Sequence, residues 1–307
     1  MARASTSSGA GWRIVKRNLE GYLFVSPVVL GLLCWTLIPF LAAFYFSFTR
    51  YDLLSPPTWR GLKNYIHLTN DPLFWQAVKV TLSFTALFLP LSIVGGLALA
   101  MLLNQKVRGI GFLRTAFYIP SVVPIVATAV LWVWILNPDL GLLNDALRAL
   151  HLPTGLWLTD PGSALPSLVL MGLWGVGGGM IVFLAGLQGV PEEYYEAAKI
   201  DGASPVSQFR HVTLPLISPT MFYQIILGLI ASMQYFTQAF VLGGVSGGMG
   251  SPLNSTLFLP LYIYEVAFNY TQMGYACAMS VVLFAMILLV TIVLFSTQRF
   301  WVYYGDR

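Results

Sequence analysis

The sequence has few charged residues, few cysteines and no nucleotide-binding loop. Only 9% of its 307 residues are charged, whereas soluble domains average about 25%. Its two cysteines, Cys34 and Cys277, both lie within apolar segments, so no disulfide framework is predicted. The dipeptide Gly-Lys does not occur, so the phosphate-binding loop G-x-x-x-x-G-K-[ST] is missing. These features exclude a disulfide-rich secreted domain and a P-loop ATPase.

Catalytic and metal-binding patterns are also missing. His67, His151 and His211 are far apart without metal-ligand spacing. No serine, histidine and acidic residue are predicted at the same depth in the membrane, so no catalytic triad is indicated. The sequence therefore predicts no catalytic residue, no metal and no cofactor, and a protein that is not an enzyme. The basic residues are scattered at the ends of apolar segments, which is typical of membrane topology signals and argues against a nucleic-acid partner.

What the sequence does have is long hydrophobic segments. Hydrophobic residues make up 57% of the chain, and the mean hydropathy is +0.74. A helix needs about 20 mostly apolar residues to cross a bilayer, and continuous runs favour helices over barrel strands. Six segments qualify, at about 22–46, 80–103, 116–136, 165–187, 214–243 and 275–297. The predicted fold class is therefore all-α and integral to the membrane, with six transmembrane helices.

Lysine and arginine positions predict that both termini are cytoplasmic, because basic residues accumulate on that side. With the N-terminus inside, eleven basic residues fall in the cytoplasm: Arg3, Arg13, Lys16, Arg17, Lys106, Arg108, Arg114, Lys199, Arg210, Arg299 and Arg307. Five fall outside: Arg50, Arg60, Lys63, Lys79 and Arg148. This topology predicts a cytoplasmic tail at 1–20, a transmembrane domain at 21–298 and a cytoplasmic tail at 299–307. It also places the loop at 188–213 in the cytoplasm.

The loop at 188–213 is rich in acidic residues, and its local chemistry predicts two short helices. Pro191 suits a first helical position, and Glu192 and Glu193 then lie in the first turn, where the helix dipole favours negative charge. Gly202 can adopt the left-handed conformation that ends a helix. Ser204 offers the N-cap of a second helix.

Glu196 is not explained by helix capping. It lies in the middle of the first predicted helix beside Ala197 and Ala198, whose small side chains allow another surface to approach closely. The local chemistry leaves two interpretations open: a docking element for a partner, or a solvated connection whose charges keep it out of the bilayer.

The segment that follows resembles a known loop. "EAAKIDGASPVSQFRHVTLPLISP" is similar to the EAA loop of permease subunits in binding-protein-dependent ABC importers, and its Asp-Gly-Ala form looks like the carbohydrate branch. The matching positions are Glu196, Ala197, Ala198, Asp201, Gly202, Ala203, Phe209, Leu214, Pro215 and Pro219. The start "FVSPVVLGLLCWTLIPFLAAFYFSFTRYDLLSPPTWRGLKNY" and the end "QRFWVYYGD" resemble the MalF-like member of a heterodimeric pair. The chain departs from the family in the external loop at 243–260.

The resemblance implies a type I ABC importer permease fold in the plasma (inner) membrane of a prokaryote. It implies that the chain is surrounded by membrane lipid and translocates a sugar, an oligosaccharide or a related polyol. The implied partners are a second, MalG-like permease, two cytoplasmic ATP-binding subunits and an extracytoplasmic sugar-binding protein. The EAA helix would be the coupling helix that docks in a groove of the ATPase, with Glu196 paired to a basic residue there and Gly202 allowing the turn. Phe209 would anchor the second helix against the membrane helices, with ordinary packing near the bilayer as the alternative.

The fifth apolar segment predicts a solute pathway. It contains Gln224, Gln234, Tyr235 and Gln238, and in a continuous helix Gln234 and Gln238 share one face. Amides both donate and accept hydrogen bonds, which suits a neutral solute rich in hydroxyls. Hydrogen bonding between membrane helices is the alternative interpretation of these glutamines.

Two further patterns bear on mechanism. The run "WGVGGGM" at 174–180 favours close approach of span four to a neighbour, with local flexing as the alternative. No charge or acid–base pair lies in the middle of a predicted span, which argues against a proton-driven pump. The rival function is a secondary transporter or channel for a small polar solute, which would need buried ionisable residues or an inverted repeat.

Overall fold

A computed structural model of the chain describes residues 8–105, 107–245 and 248–304. Arg3, Lys106 and Arg307, which the topology prediction counts, lie outside the described residues, as do the outermost parts of both predicted tails. Within the described ranges the chain is mostly helical, with two short strands, β1 (Thr49–Arg50) and β2 (Thr58–Trp59), paired antiparallel.

The first span is a long helix that contacts the rest of the chain mainly through its C-terminal part. It consists of α1 (Ser8–Leu32), a π-helical turn (Leu33–Leu37) and α2 (Ile38–Phe46). The helix therefore begins within the predicted tail rather than at residue 22. No residue in its most apolar stretch of 18 residues is buried. Its end contacts the last span, where the rings of Phe40 and Phe284 are 5.0 Å apart.

Two other spans are continuous helices. After α3 (Lys63–Thr69), α4 (Pro72–Leu103) begins eight residues before the predicted start at 80. Asp71 caps α4 by accepting a hydrogen bond from the Leu73 amide at 2.9 Å, and Pro72 occupies the first helical position, where it needs no hydrogen-bond partner. The last span, α16 (Met273–Trp301), extends the predicted 275–297 at both ends.

The third span is broken within the predicted 116–136. It consists of α5 (Ile110–Val122) and α6 (Ile125–Ile135), which meet at 96°. Val123 between them is extended, with φ −65° and ψ 133°, because the following Pro124 disfavours helical geometry at the preceding residue.

The fourth span is bent within the predicted 165–187, at the glycine run where local flexing was the alternative interpretation. After α7 (Leu142–Ala149), α8 (Pro161–Leu173) and α9 (Gly177–Gln188) form this span with a bend of 49°. The bend falls within the glycine run, where backbone entropy disfavours helix.

The fifth span is interrupted within the predicted 214–243. The loop before it forms α10 (Glu192–Ile200), α11 (Pro205–Gln208), a π-helical turn (Phe209–Thr213) and α12 (Leu214–Leu216), and the span itself is α13 (Ser218–Met233) and α14 (Thr237–Val245). The interruption at 234–236 turns Tyr235 into the core, where its ring lies 4.3 Å from Phe84 and 4.9 Å from Phe258. The helix α15 (Leu259–Tyr264) and a π-helical turn (Glu265–Asn269) lead to α16.

Helix α4 is the centre of the fold. It contributes Phe74, Phe84 and Leu97 to three different buried clusters, which join it to the later helices. Four helical segments among the described residues are long and apolar enough to cross a membrane, and the number rises to six if each bent pair is one span. On that count the predicted six spans are reached, although three of them are not continuous.

Candidate functional site

The acidic loop forms the two predicted helices, α10 and α11. Glu192 and Glu193 occupy the first turn of α10, as predicted. Pro191 is the N-cap rather than the first helical residue, because its ψ of 136° is extended. This shifts the predicted start of the helix by one position.

A glycine turn connects the two helices. Gly202 has a φ of +78°, which confirms the predicted left-handed conformation. The amide of Gly202 donates to the Lys199 carbonyl at 3.0 Å, and the amide of Ala203 donates to the Ala198 carbonyl at 2.9 Å. These two bonds are the Schellman pattern of helix ends. A Cβ atom at Gly202 would meet no neighbour, so glycine is needed for its backbone conformation and not for space.

The second helix starts at the predicted cap. The Ser204 hydroxyl accepts a hydrogen bond from the Ser207 amide at 3.3 Å, and Pro205 takes the first helical position. The Gln208 side chain donates to the Ala203 carbonyl at 2.9 Å, which ties α11 to the glycine turn. The backbone then continues through the π-helical turn to Leu214 and Pro215 without leaving helical geometry.

The outer face of the loop is exposed and carries both acidic and apolar groups. Glu196, Ala197 and Asp201 are exposed, and the Glu196 carboxylate has no hydrogen-bond or ion-pair partner among the described residues. Beside them, Ile200 is 87% exposed and Val206 is 76% exposed. Large apolar side chains that protrude from a polar loop are typical of a protein–protein contact.

The inner face of the loop is fixed to the membrane helices. Phe209 and Leu214 pack against a buried cluster that includes Leu187 and Ile217. The hydroxyls of Tyr195 and Thr213 are 3.1 Å apart. Ala198 and Ala203 are half-buried and lie on this side. The loop therefore joins α9 to α13 as a packed unit.

The four predicted pathway residues lie in different surroundings. Gln234 is exposed within the helix interruption, so its predicted alignment with Gln238 is wrong. Tyr235 is buried and lines neither groove, and its hydroxyl lies 3.9 Å from the sulfur of Met171. Gln224 donates a hydrogen bond to the Gly179 carbonyl at 3.1 Å and lines a groove of about 270 Å³.

The breaks in three spans meet at one groove of about 220 Å³. Ser121 lies beside the break of span three, Trp174 and Gly175 lie at the bend of span four, and Gln238 follows the interruption of span five. Irregular backbone at membrane depth is tolerated where it lines a cavity or is buried in protein. Gly175 also lines the larger groove of Gln224, and the residues lining both grooves are uncharged.

Sequence reasoning missed Ser121 and Trp174 as lining residues. The signal was present in the two prolines of span three, Pro120 and Pro124, and in the glycine run of span four, because both interrupt helices. Among the described residues no group of three potential metal ligands occurs.

The comparisons with known proteins agree with this geometry. Residues 92–301 match the family described as "Binding-protein-dependent transport system inner membrane component". The chain is 41% identical over 297 residues to "Probable ABC transporter permease protein YesP" of Bacillus subtilis, covering 96% of this chain and 95% of the relative. The chain belongs to this family.

Two further comparisons extend the match. The permease is 34% identical to the "Trehalose/maltose transport system permease protein MalF" of Thermococcus litoralis, covering 91% of this chain and 94% of the relative. Its fold matches a chain of a bacterial ABC transporter involved in the import of the acidic polysaccharide alginate, with a TM-score of 0.81, 23% identity, and coverage of 94% and 98%.

These matches confirm the predicted fold class and family. The permease has the type I ABC importer fold, with six membrane spans when each bent pair is counted once. It is a multi-pass protein of the prokaryotic plasma membrane and a permease subunit rather than an enzyme. The family description itself names a binding protein as part of the transport system.

Proposed function

We propose that the permease is the transmembrane subunit of an ATP-driven importer that translocates a sugar, an oligosaccharide or a related polyol. In this proposal an extracytoplasmic sugar-binding protein delivers the solute, and cytoplasmic ATPase subunits supply the energy. The name of the Thermococcus litoralis relative, a trehalose/maltose permease, supports a carbohydrate. Family membership supports delivery by a binding protein.

The geometry of the acidic loop carries the assignment of the coupling site. Its outer face offers an unpaired Glu196 carboxylate beside exposed Ile200 and Val206, while its inner face is packed on the spans through Phe209. Such an element can transmit a rigid-body displacement of a docked subunit to α9 and α13. The coupling residues in this proposal are Glu196, Ala197, Ala198, Asp201, Gly202, Ala203, Phe209, Leu214 and Pro215.

The first span and the grooves support a second, MalG-like permease in the complex. The most apolar part of Gly21–Phe46 has no buried residue, and the two grooves open to the surface of the chain. A partner with the same fold would complete a pathway between the two subunits. Because each of the two permeases would present one acidic loop as its coupling site, the complex would bind two ATP-binding subunits.

The topology in this proposal places the acidic loop at 188–213 and both termini in the cytoplasm. The excess of basic residues on that side supports it. The C-terminal end of α16 lies beside the start of α13, where the Tyr303 amide donates to the Ser218 hydroxyl at 2.8 Å. The acidic loop and the C-terminal end of α16 therefore lie on the same side of the membrane helices. This loop is called the coupling loop from here on.

The solute pathway in this proposal follows the two grooves. Gln224 and Gln238 line them directly, Gln234 lies in the helix interruption of span five, and Tyr235 supports that interruption from the core. Ser121 and Trp174 are added to the predicted set. Amide and hydroxyl groups beside an aromatic ring are suited to binding sugar hydroxyls and ring faces.

Co-purification of the ATPase tests the function. Glu196→Lys should insert normally and reduce ATPase association by at least tenfold, because a docked carboxylate that loses its basic partner costs about 2–5 kcal/mol. Asp139→Lys, the same charge change in the loop between α6 and α7, is the control and should leave association unchanged. The measurement is the ratio of ATPase to permease after affinity purification in mild detergent.

Two results would contradict the proposal. Equal ATPase recovery with Glu196→Lys and with Asp139→Lys would show that this residue does not dock. A purified wild-type chain that forms only homo-oligomers and mediates solute flux without ATP would favour the rival secondary transporter or channel.

A further inference from the structure

A polar pocket of about 440 Å³ lies at the start of the last helix. Its walls come from the β1–β2 hairpin on one side and from the turn before α16 on the other. Arg50, Asp52 and Arg60 face Tyr270 and Gln272 across it. We call it the arginine pocket, and none of the coupling or pathway residues lines it.

The hairpin wall of the arginine pocket is held rigidly. The buried Asn64 side chain donates hydrogen bonds of 2.8 Å to the carbonyls of both Ser47 and Thr49. The Gly274 amide donates to the Tyr51 carbonyl at 3.0 Å, which fastens the hairpin to the first turn of α16. A Cβ atom at position 274 would collide with the Thr49 carbonyl oxygen, so only glycine permits this approach. The two arginines are thus presented from a fixed backbone.

The charge of the pocket is only partly offset within the chain. The side chains of Arg50 and Arg60 are exposed and make no hydrogen bond or ion pair with any described residue. The one carboxylate among the lining residues, Asp52, keeps its negative charge but is hydrogen-bonded to Ser55, whose amide and hydroxyl donate to it at 2.8 Å and 2.6 Å, so two positive charges and one negative charge leave a net charge of +1. The hydrogen bond from the Ser55 hydroxyl is the main reason why the pKa of Asp52 lies below its usual value. Two guanidinium groups therefore remain available to an external anion.

The arginine pocket and the coupling loop lie at opposite ends of the permease. The pocket is at the N-terminal end of α16, whereas the Trp301 ring at the other end packs against Phe222 near the start of α13, just after the coupling loop. A helix of 29 residues is about 43 Å long, which exceeds the thickness of the bilayer core. If the coupling loop is cytoplasmic, as proposed above, the pocket faces the outside.

We propose that the arginine pocket is a docking contact for an aspartate or glutamate side chain of the extracytoplasmic solute-binding protein. This inference rests on the proposed function and adds a specific surface to it. A carboxylate matches the fork of donors that a guanidinium group presents, and two such groups on a fixed hairpin favour it further. Exposed charges of one sign also raise the rate at which an oppositely charged partner docks.

The test measures the ATPase rate of the reconstituted importer in nanodiscs while the concentration of its purified binding protein is varied. In the double variant Arg50→Gln and Arg60→Gln, the half-saturating concentration should rise about tenfold at low salt, with the maximal rate unchanged. Raising the ionic strength should reduce this difference, because exposed charge pairs are screened. The control Lys63→Gln removes a nearby exposed charge that does not line the pocket, and it should change half-saturation by less than about twofold.

A charge-reversal experiment identifies the partner residue. Arg60→Glu should weaken stimulation further, and reversing one acidic residue on the docking face of the binding protein to lysine should restore it. Restoration would assign that residue to the pocket. If reversal to lysine at each acidic position on that face failed to restore stimulation, the proposal would be contradicted.

Other outcomes separate the alternatives. An unchanged half-saturating concentration in the double variant would overturn the inference while leaving the importer function intact. If free galacturonic acid bound to wild-type nanodiscs in calorimetry without the binding protein, and the double variant lost this binding, the pocket would serve an acidic solute and the inference would fail. Absence of any stimulation by the binding protein in the wild-type complex would instead refute the proposed function.

Discussion

Asp71 accepts hydrogen bonds of 2.7 Å from the hydroxyls of both Tyr262 and Tyr275 through one carboxylate oxygen, and it caps α4 through the other. Burial is the strongest single influence on this carboxyl and raises its pKa. The two tyrosine hydrogen bonds and the backbone amide of Leu73 together outweigh burial, so the pKa of Asp71 lies below its usual value. One residue thereby joins the beginnings of α4 and α16 to the end of α15.

We expect Asp71→Asn to lower the stability of the complex by about 1–3 kcal/mol, because hydrogen bonds to a charged group are replaced by neutral ones. A carboxylate with a lowered pKa stabilises the folded state fully above its usual pKa of about 3.9, and this contribution is lost as the pH falls through the lower folded value. Wild-type thermal stability should therefore decline below about pH 4, and the difference from Asp71→Asn should shrink there. Asp139→Asn, an exposed acid, serves as the control, and a pH-independent difference between Asp71→Asn and wild type would contradict this role.

The turn at Gly202 gives a second prediction at this scale. Gly202→Val should cost about 1–2 kcal/mol at the turn, because a β-branched residue resists positive φ although space is open. Gly202→Asn should be close to wild type, since asparagine tolerates the left-handed conformation. The ratio of sugar uptake to ATP hydrolysis should fall in the valine variant only. A wild-type ratio in the valine variant would remove the argument that this turn transmits force.

At the level of elements, helix types and approximate ends were predictable, and so were two of the three breaks within spans. Long apolar runs identify six candidate spans because a stretch of about 20 apolar residues is long enough to cross a bilayer. The sharp bend at Pro124 follows from a local rule that could have been applied to the sequence. The interruption after Met233 has no proline or glycine in it and depends on distant Phe84 and Phe258, so only tertiary structure reveals it.

The coupling loop and the pathway groove also differ in how far the sequence predicts them. The coupling loop could be predicted almost residue by residue, because capping and turn chemistry are local, as Gly202 and Ser204 show. The groove could not, because Ser121 and Trp174 meet only when separate spans pack together. The predicted pairing of Gln234 with Gln238 was wrong because it assumed an unbroken helix.

The glycine run at the bend of span four packs as predicted, and this contact can be tested. A Cβ atom at Gly177 would overlap the carbonyl oxygen of Phe117 on α5, whereas a Cβ at Gly178 would lie at an ordinary 3.5 Å from the Ser121 Cβ. We expect Gly177→Ala to lower stability by about 1–3 kcal/mol through overpacking. Gly178→Ala should melt near wild type in the same thermal assay. Equal melting temperatures for the two variants would show that α5 and α9 can separate without cost.

At the scale of the whole molecule, the permease has a polar element at each end and irregular backbone between them. The coupling loop lies at one end and the arginine pocket at the other, along helix α16. The breaks of three spans meet at a groove between these ends. This arrangement suits a subunit that receives force on one side and a loaded binding protein on the other.

Docking of the coupling loop is tested most directly by the accessibility of its outer face. The exposed Ala197 is replaced by cysteine in a chain whose Cys34 and Cys277 are changed to alanine, and maleimide labelling is timed in inside-out membrane vesicles with the ATPase subunits bound or stripped off. We expect labelling to be at least about tenfold slower with the ATPase bound, because the docked groove covers this residue. Equal labelling rates in the two preparations would contradict the docking of this loop and the coupling mechanism built on it.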